Sequence, residues 1–128
     1  MTILITGAAG RTSGYVLKAL LASDNVKPAD LRLLVRSEDA IQKVQFRHQQ
    51  LPRSSFVVAD YLETSTLGPA LRGVDIAFHN APGFSPLESA MGIALIDAAK
   101  EAGVKHLVYC SVLFPVLSKL LNHDIKRV

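Results

Sequence analysis

The residues with the clearest chemistry are Thr6-Gly7-Ala8-Ala9-Gly10-Arg11-Thr12-Ser13-Gly14. The run leaves a short apolar segment, Ile3-Leu4-Ile5, and enters a stretch with helical periodicity. Gly7 permits a tight turn, and Gly10, lacking a β-carbon, lets an anionic group approach the backbone. A helix starting here presents unpaired N–H groups and about half a positive charge to such a group. Gly7, Ala9, Gly10, Arg11 and Thr12 are therefore expected to cradle the pyrophosphate of a dinucleotide. The competing reading is an ordinary strand-to-helix turn rich in glycine; the strand before and the helix after favour binding.

A second group of residues decides which dinucleotide. Sites for NAD usually place Asp or Glu at the end of the second strand, against the adenosine ribose. Here that strand ends Val35-Arg36-Ser37, and the first acids follow at Glu38 and Asp39. The planar, permanently charged fork of Arg36 suits a 2′-phosphate instead. NADP(H) is expected ahead of NAD(H). Arg11 has three readings: a contact to the same phosphate, a stack near adenine, or a solvated arginine.

These residues need elements to position them. Ile3-Leu4-Ile5 predicts a first strand, and residues 15–23 a helix whose face carries Val16, Leu17, Leu20 and Leu21. Residues 31–35 predict a second strand, and Ser37 caps a helix over residues 39–44. Residues 55–58 predict a third strand. Residues 64–71 form a helix weakened by Gly68-Pro69 and closed by Gly73. Residues 74–78 and 105–109 predict strands four and five. Between them, Ser85-Pro86-Leu87-Glu88 reads as a capping box. Ala90, Met91, Ala94, Leu95 and Ala98 are the expected buried stripe, and Gly103 the left-handed cap.

Strand–helix alternation predicts an α/β fold: a Rossmann-type, doubly wound parallel sheet of five strands in the order 3-2-1-4-5. The order reverses between strands one and four, which places the binding crevice between residues 7–14 and residues 79–82.

Composition bounds the alternatives. The chain has 128 residues, 49% hydrophobic and 20% charged, and is read as one domain over residues 1–128. Its net charge of +3 is scattered, which argues against nucleic acid; the basic run of residues 43–53 reads as a solvated helix and loop. One cysteine, Cys110, excludes an internal disulfide, and it reads as an inert strand residue. His48 and His106 lack metal-ligand spacing, so no metal is expected. No apolar run reaches the roughly 18 residues that span a bilayer, and no signal peptide is visible, so a cytoplasmic setting away from membranes is expected.

Thr6-Gly7-x-x-Gly10, Arg36, Asp60-Tyr61 after strand three and His79-Asn80-Ala81-Pro82 after strand four together resemble the NmrA-like family of atypical short-chain dehydrogenase/reductases. That family includes NADP-sensing regulators and quinone- or isoflavone-reductase-like enzymes. The resemblance implies that Asp60 accepts from the adenine amino group, helped by the Tyr61 backbone. It implies that Asn80 and Ala81, with Pro82, line the nicotinamide-side ribose, and that Ser111 opens the active-site loop. Asp60 also reads as a turn carboxylate, and Asn80 as a loop residue satisfying its own turn.

This sequence departs from the pattern in two places. Ser13 stands at the third glycine, with Gly14 one place later. The superfamily's Tyr and Lys four residues apart become Asn122 and Lys126, and Val112 replaces a second catalytic hydroxyl. Lys126 is left to bind the nicotinamide ribose and His123 to supply a proton; both equally suit the polar face of a helix. The resemblance implies hydride transfer to a small carbonyl, quinone or conjugated substrate. The missing tyrosine favours a non-catalytic NADP(H)-sensing protein with a regulatory protein partner, and a homo-oligomer stays open. Family members are longer, so a chain truncated before strand six is expected, leaving strand five as an exposed edge.

Overall fold

The computed structural model describes residues 1–81 and 86–111. Its elements, in order, are β1 (Ile3–Thr6), α1 (Arg11–Leu21), β2 (Leu31–Val35), α2 (Glu38–Arg47), β3 (Phe56–Val58), α3 (Thr64–Leu71), β4 (Ile76–His79), α4 (Glu88–Ala102) and β5 (His106–Tyr109). Single 3-10 turns at Pro28–Asp30 and Arg53–Ser55 lead into β2 and β3.

The strands form one sheet in the order β3-β2-β1-β4-β5. All four pairings are parallel, with Ile5 opposite Leu33 and Phe78, and His79 opposite Tyr109. The expected Rossmann-type order is thus the observed one. Alternate strand residues feed opposite layers, as the two-residue period of a strand requires. Ile3, Ile5, Leu31, Leu33 and Val35 pack with Leu17 of α1 and with Ile41 and Val44 of α2. Leu4, Leu34 and Ala77 pack with Leu67 and Leu71 of α3 and with Met91, Leu95 and Ala99 of α4. Leu4, Leu33 and Leu34 are almost wholly buried. Each such side chain contributes about 1.5–3 kcal/mol relative to exposure.

Three helices differ from their sequence-predicted limits. α1 begins at Arg11, four residues before the expected Tyr15, and ends at Leu21. Its first turn is polar apart from the glycines, so the apolar periodicity is silent where the helix faces the crevice. α4 begins at Glu88, with Leu87 at the cap position and no side-chain cap bond. Pro86 therefore lies in the preceding turn, and Ser85 falls outside the described residues. The buried stripe of α4 is Glu88, Met91, Gly92, Leu95 and Ala99; Ala90 is exposed and Ala98 only half-buried. In an alanine-rich helix the small residues leave the face ambiguous until a partner selects it. Here the partner includes Tyr109, whose hydroxyl would lie 2.8 Å from a β-carbon on Gly92. Gly103 ends the helix at φ 78°, as expected.

α2 runs on to Arg47, and the Ser37 hydroxyl accepts from the Ala40 N–H at 3.3 Å. α3 keeps Pro69 inside it. Its carboxyl end is held by Arg32 of β2, whose Nη1 donates to the carbonyls of Ala70 and Arg72 at 2.9 and 2.6 Å. At the other edge of the sheet, β5 leaves Leu107 and Val108 exposed. No helix among the described residues is long and apolar enough to cross a membrane.

Candidate functional site

The crevice lies at the carboxyl ends of β1 and β4, the neighbours at which the strand order reverses. Gly7 opens the turn at φ 62°, and a β-carbon there would sit 2.6 Å from the Asn80 carbonyl oxygen. The Gly10 N–H donates to the Gly7 carbonyl at 2.8 Å, closing the loop. Gly10 then caps α1 in an extended conformation with no side-chain cap bond and no acid in the first turn. Arg11 and Thr12 occupy that turn, both exposed. α2 is the contrast: Ser37 caps it, and Glu38 and Asp39 answer its dipole. The amino end of α1 has neither.

The floor of the crevice is a polar cluster. Thr6, Ser13 and His79 are fully buried. Ser13 Oγ donates to the Thr6 carbonyl at 2.8 Å and accepts from Asn80 Nδ2 at 3.4 Å. The serine at the third-glycine position thus bolts α1 to β1 and to the loop after β4. The Asn80 N–H donates to Thr6 Oγ1 at 2.8 Å. That hydroxyl also lies 3.3 Å from His79 Nδ1 and 3.4 Å from the Asn80 carbonyl. Asn80 therefore does more than satisfy its own turn: it is fixed by both strand ends. Ala81 follows it and is buried.

Tyr61 closes the cluster from below. Its ring meets His79 edge-on at 5.6 Å, and His79 meets Tyr109 at 5.1 Å. Burial pushes the Tyr61 phenol above its ordinary value, opposed more weakly by the Thr6 hydroxyl and the Arg36 charge. The Tyr61 hydroxyl reaches hydrogen-bond geometry with no group among the described residues. Its side chain is a core element. Asp60 is exposed, and its Oδ1 accepts from the Leu62 N–H at 2.9 Å, as a turn carboxylate does.

Arg36 stands exposed at the tip of β2. Arg47 was not singled out by sequence reasoning, which placed it in a solvated basic run. It crosses from the end of α2 to donate to the Ala9 carbonyl at 3.4 Å. No local pattern marks it, because the contact spans 38 residues. Arg53 of the same run pairs with Glu38 at 2.7 Å. Ser111 follows β5 at the same end of the sheet as Asn80, since Tyr109 pairs with His79, and it is exposed. Pro82, Asn122, His123 and Lys126 lie outside the described residues. Cys110 is half-buried, its N–H donating to the His79 carbonyl at 2.8 Å. Among the described residues no three His, Cys, Asp or Glu side chains cluster to hold a metal.

A parallel sheet in this order, with a glycine turn at its point of reversal, defines the Rossmann-type class of α/β proteins. Within that class the chain belongs to the NmrA-like family, whose model matches residues 1–120. It is 32% identical over 116 residues to the NmrA-like family domain-containing oxidoreductase himF of Aspergillus japonicus, covering 85% of this chain. Among solved structures, it is similar to the NADPH-dependent quinone oxidoreductase QOR2 of Escherichia coli complexed with NADPH (29% identity, 98% of this chain, TM-score 0.79). The fold is also that of the Citrobacter sp. triphenylmethane reductase complexed with NADP(H) (24% identity, 99% of this chain, TM-score 0.81). The chain spans 33% of the Aspergillus relative and 42% and 43% of these two structures.

Proposed function

We propose that residues 1–128 form the dinucleotide-binding region of an NADP(H)-dependent oxidoreductase acting on a small carbonyl, quinone or conjugated substrate. The observation that carries this reading is the uncapped, acid-free amino end of α1, set behind Gly7 and Gly10 at the reversal of the sheet. The cradle suits a pyrophosphate, because a β-carbon at Gly7 or Gly10 would come within 2.6 or 3.1 Å of backbone oxygens. The names of the Aspergillus relative and the Escherichia coli structure support the same chemistry.

When bound, the dinucleotide supplies the hydride; the chain's part is to hold and orient it. Gly7, Ala9 and Gly10, with the N–H groups of Arg11 and Thr12, would hold the pyrophosphate. Arg36 would hold the 2′-phosphate, with Arg11 near it. Asp60 and the Tyr61 backbone would take the adenine. Asn80, Ala81 and Pro82 would line the nicotinamide-side ribose. Lys126 would bind that ribose, His123 would hold a proton for the substrate, and Ser111 would open the loop above it.

The test is calorimetric titration of the chain with NADPH, NADH and NADP⁺, since with no tryptophan the binding has no indole signal. Micromolar NADPH binding with much weaker NADH binding is expected; no binding to any of the three overturns the reading. A second reading, a non-catalytic NADP(H) sensor, is favoured by Asn122 at the tyrosine position. It predicts binding without turnover across a quinone panel, and a partner protein captured differently with NADP⁺ and with NADPH.

A further inference from the structure

A groove open to solvent runs from the Gly10–Arg11 edge of the dinucleotide crevice along α1 to the end of α2. Arg11, Tyr15 and Lys18 are spaced to share one face of α1. Gly10 and Gly14 contribute no side chain to fill the floor, and Arg47 and His48 form the opposite wall at the end of α2. These residues enclose a depression of about 440 Å³ that has no carboxylate in its lining.

Among the described residues these charges make no ion pair. The ion pairs among the described residues join Arg53 to Glu38 and Lys105 to Asp75. Arg11, Lys18 and Arg47 have no carboxylate partner there, and the bond from Arg47 to the neutral Ala9 carbonyl does not offset its charge. His48 reports the result: burial, then Arg47, then Lys18 hold its imidazole below its ordinary value. The positive end of α1 adds to the same field. Like charges gathered at this distance cost free energy, and a multiply charged anion reverses that cost. Guanidinium forks favour phosphate oxygens over a lone chloride or a single carboxylate oxygen.

We propose that the groove between α1 and α2 is an anion site for a phosphate-bearing ligand, bound by Arg11, Lys18, Arg47 and His48. The site goes beyond the dinucleotide crevice, since Lys18 and His48 take no part in the pyrophosphate cradle. Its ligand is a phosphate ester separate from the dinucleotide.

The test uses the full chain, inorganic tripolyphosphate as probe, and the imidazole NMR signal of His48, assigned by its loss in His48→Gln. The charged groups that act on that ring are Arg47 beside it and Lys18 from α1, and Arg11 and the Tyr15 phenol line the same groove. Tripolyphosphate is expected to shift the signal and raise the pH at which His48 titrates. Lys18→Glu, an exposed change in the last turn of α1, is expected to weaken the probe about tenfold, with thermal unfolding lowered by only a few degrees. Displacement by NADPH and not by NADH would assign the groove to the 2′-phosphate and overturn the proposal. Probe binding beside either dinucleotide would assign it to a separate ester. An unmoved His48 signal, or equal probe affinity in Lys18→Glu, overturns the proposal. Neither result depends on whether NADPH binds, so the two readings fail separately.

Discussion

A β-carbon on Gly7 would lie 2.6 Å from the carbonyl oxygen of Asn80. The turn after β1 and the loop after β4 therefore touch backbone to backbone, and the crevice between them exists only because one partner is glycine. Gly7→Ala meets two costs. The left-handed conformation alone costs about 1–2 kcal/mol, and the Asn80 backbone must move away. We expect thermal unfolding to fall by at least about 4 °C and dinucleotide binding to be lost. Calorimetry and a melting curve on the same sample check both, and a fall no larger than the left-handed conformation alone causes would show that Asn80 gives way freely.

Arg36→Ala addresses cofactor choice. A hydrogen bond to a charged group contributes about 1.5–3 kcal/mol, so NADPH affinity should fall about tenfold or more. NADH affinity should stay as it was. Equal losses for both dinucleotides would remove Arg36 from the 2′-phosphate.

Ser13→Ala isolates the bolt between α1 and β1. The serine hydroxyl donates to the buried Thr6 carbonyl at 2.8 Å and accepts from Asn80. Its loss should cost about 0.5–1.5 kcal/mol in denaturant unfolding. Dinucleotide affinity should fall too, because Asn80 loses one of its anchors. A stability unchanged by Ser13→Ala would mean that the hydroxyl only fills space.

Asp75 gives a dependence on acid. Its Oδ2 accepts from the Thr2 N–H at 2.9 Å, and Lys105 Nζ lies 3.6 Å from Oδ1. The Thr2 bond first, and the nearby positive charges after it, hold the carboxyl below its ordinary value. The folded chain therefore binds fewer protons than the unfolded chain over this range. The stabilisation is complete above the unfolded value of about 3.9 and is lost as pH falls through the lower folded value. Unfolding measured from about pH 6 downward should show a shallower acid limb in Asp75→Asn than in the parent. Parallel limbs would exclude Asp75 as a source of the dependence.

The strand order, the position of the crevice and the glycine turn were legible in the sequence, because each rests on local pattern. Ile3-Leu4-Ile5 and Leu33-Leu34-Val35 are apolar enough to be buried on both faces, and right-handed crossovers leave few ways to order them. Ser37 marked the start of α2 through its own side chain. Other features needed the tertiary structure. The first turn of α1 carries no apolar residue, so its helical state follows from the turn that precedes it. The buried face of α4 is set by the sheet and α3, through Leu4, Leu34, Ala77, Leu67 and Leu71, with Tyr109 lying over Gly92, contacts no periodicity encodes. Tyr61 looked like a binding-loop residue, yet its ring is buried on His79. Arg47 looked solvated, yet it reaches Ala9. Local sequence determines which backbone conformations are cheap; which long side chain crosses to which loop is decided only when residues 38 apart in the chain, Ala9 before α1 and Arg47 at the end of α2, are brought together on one sheet.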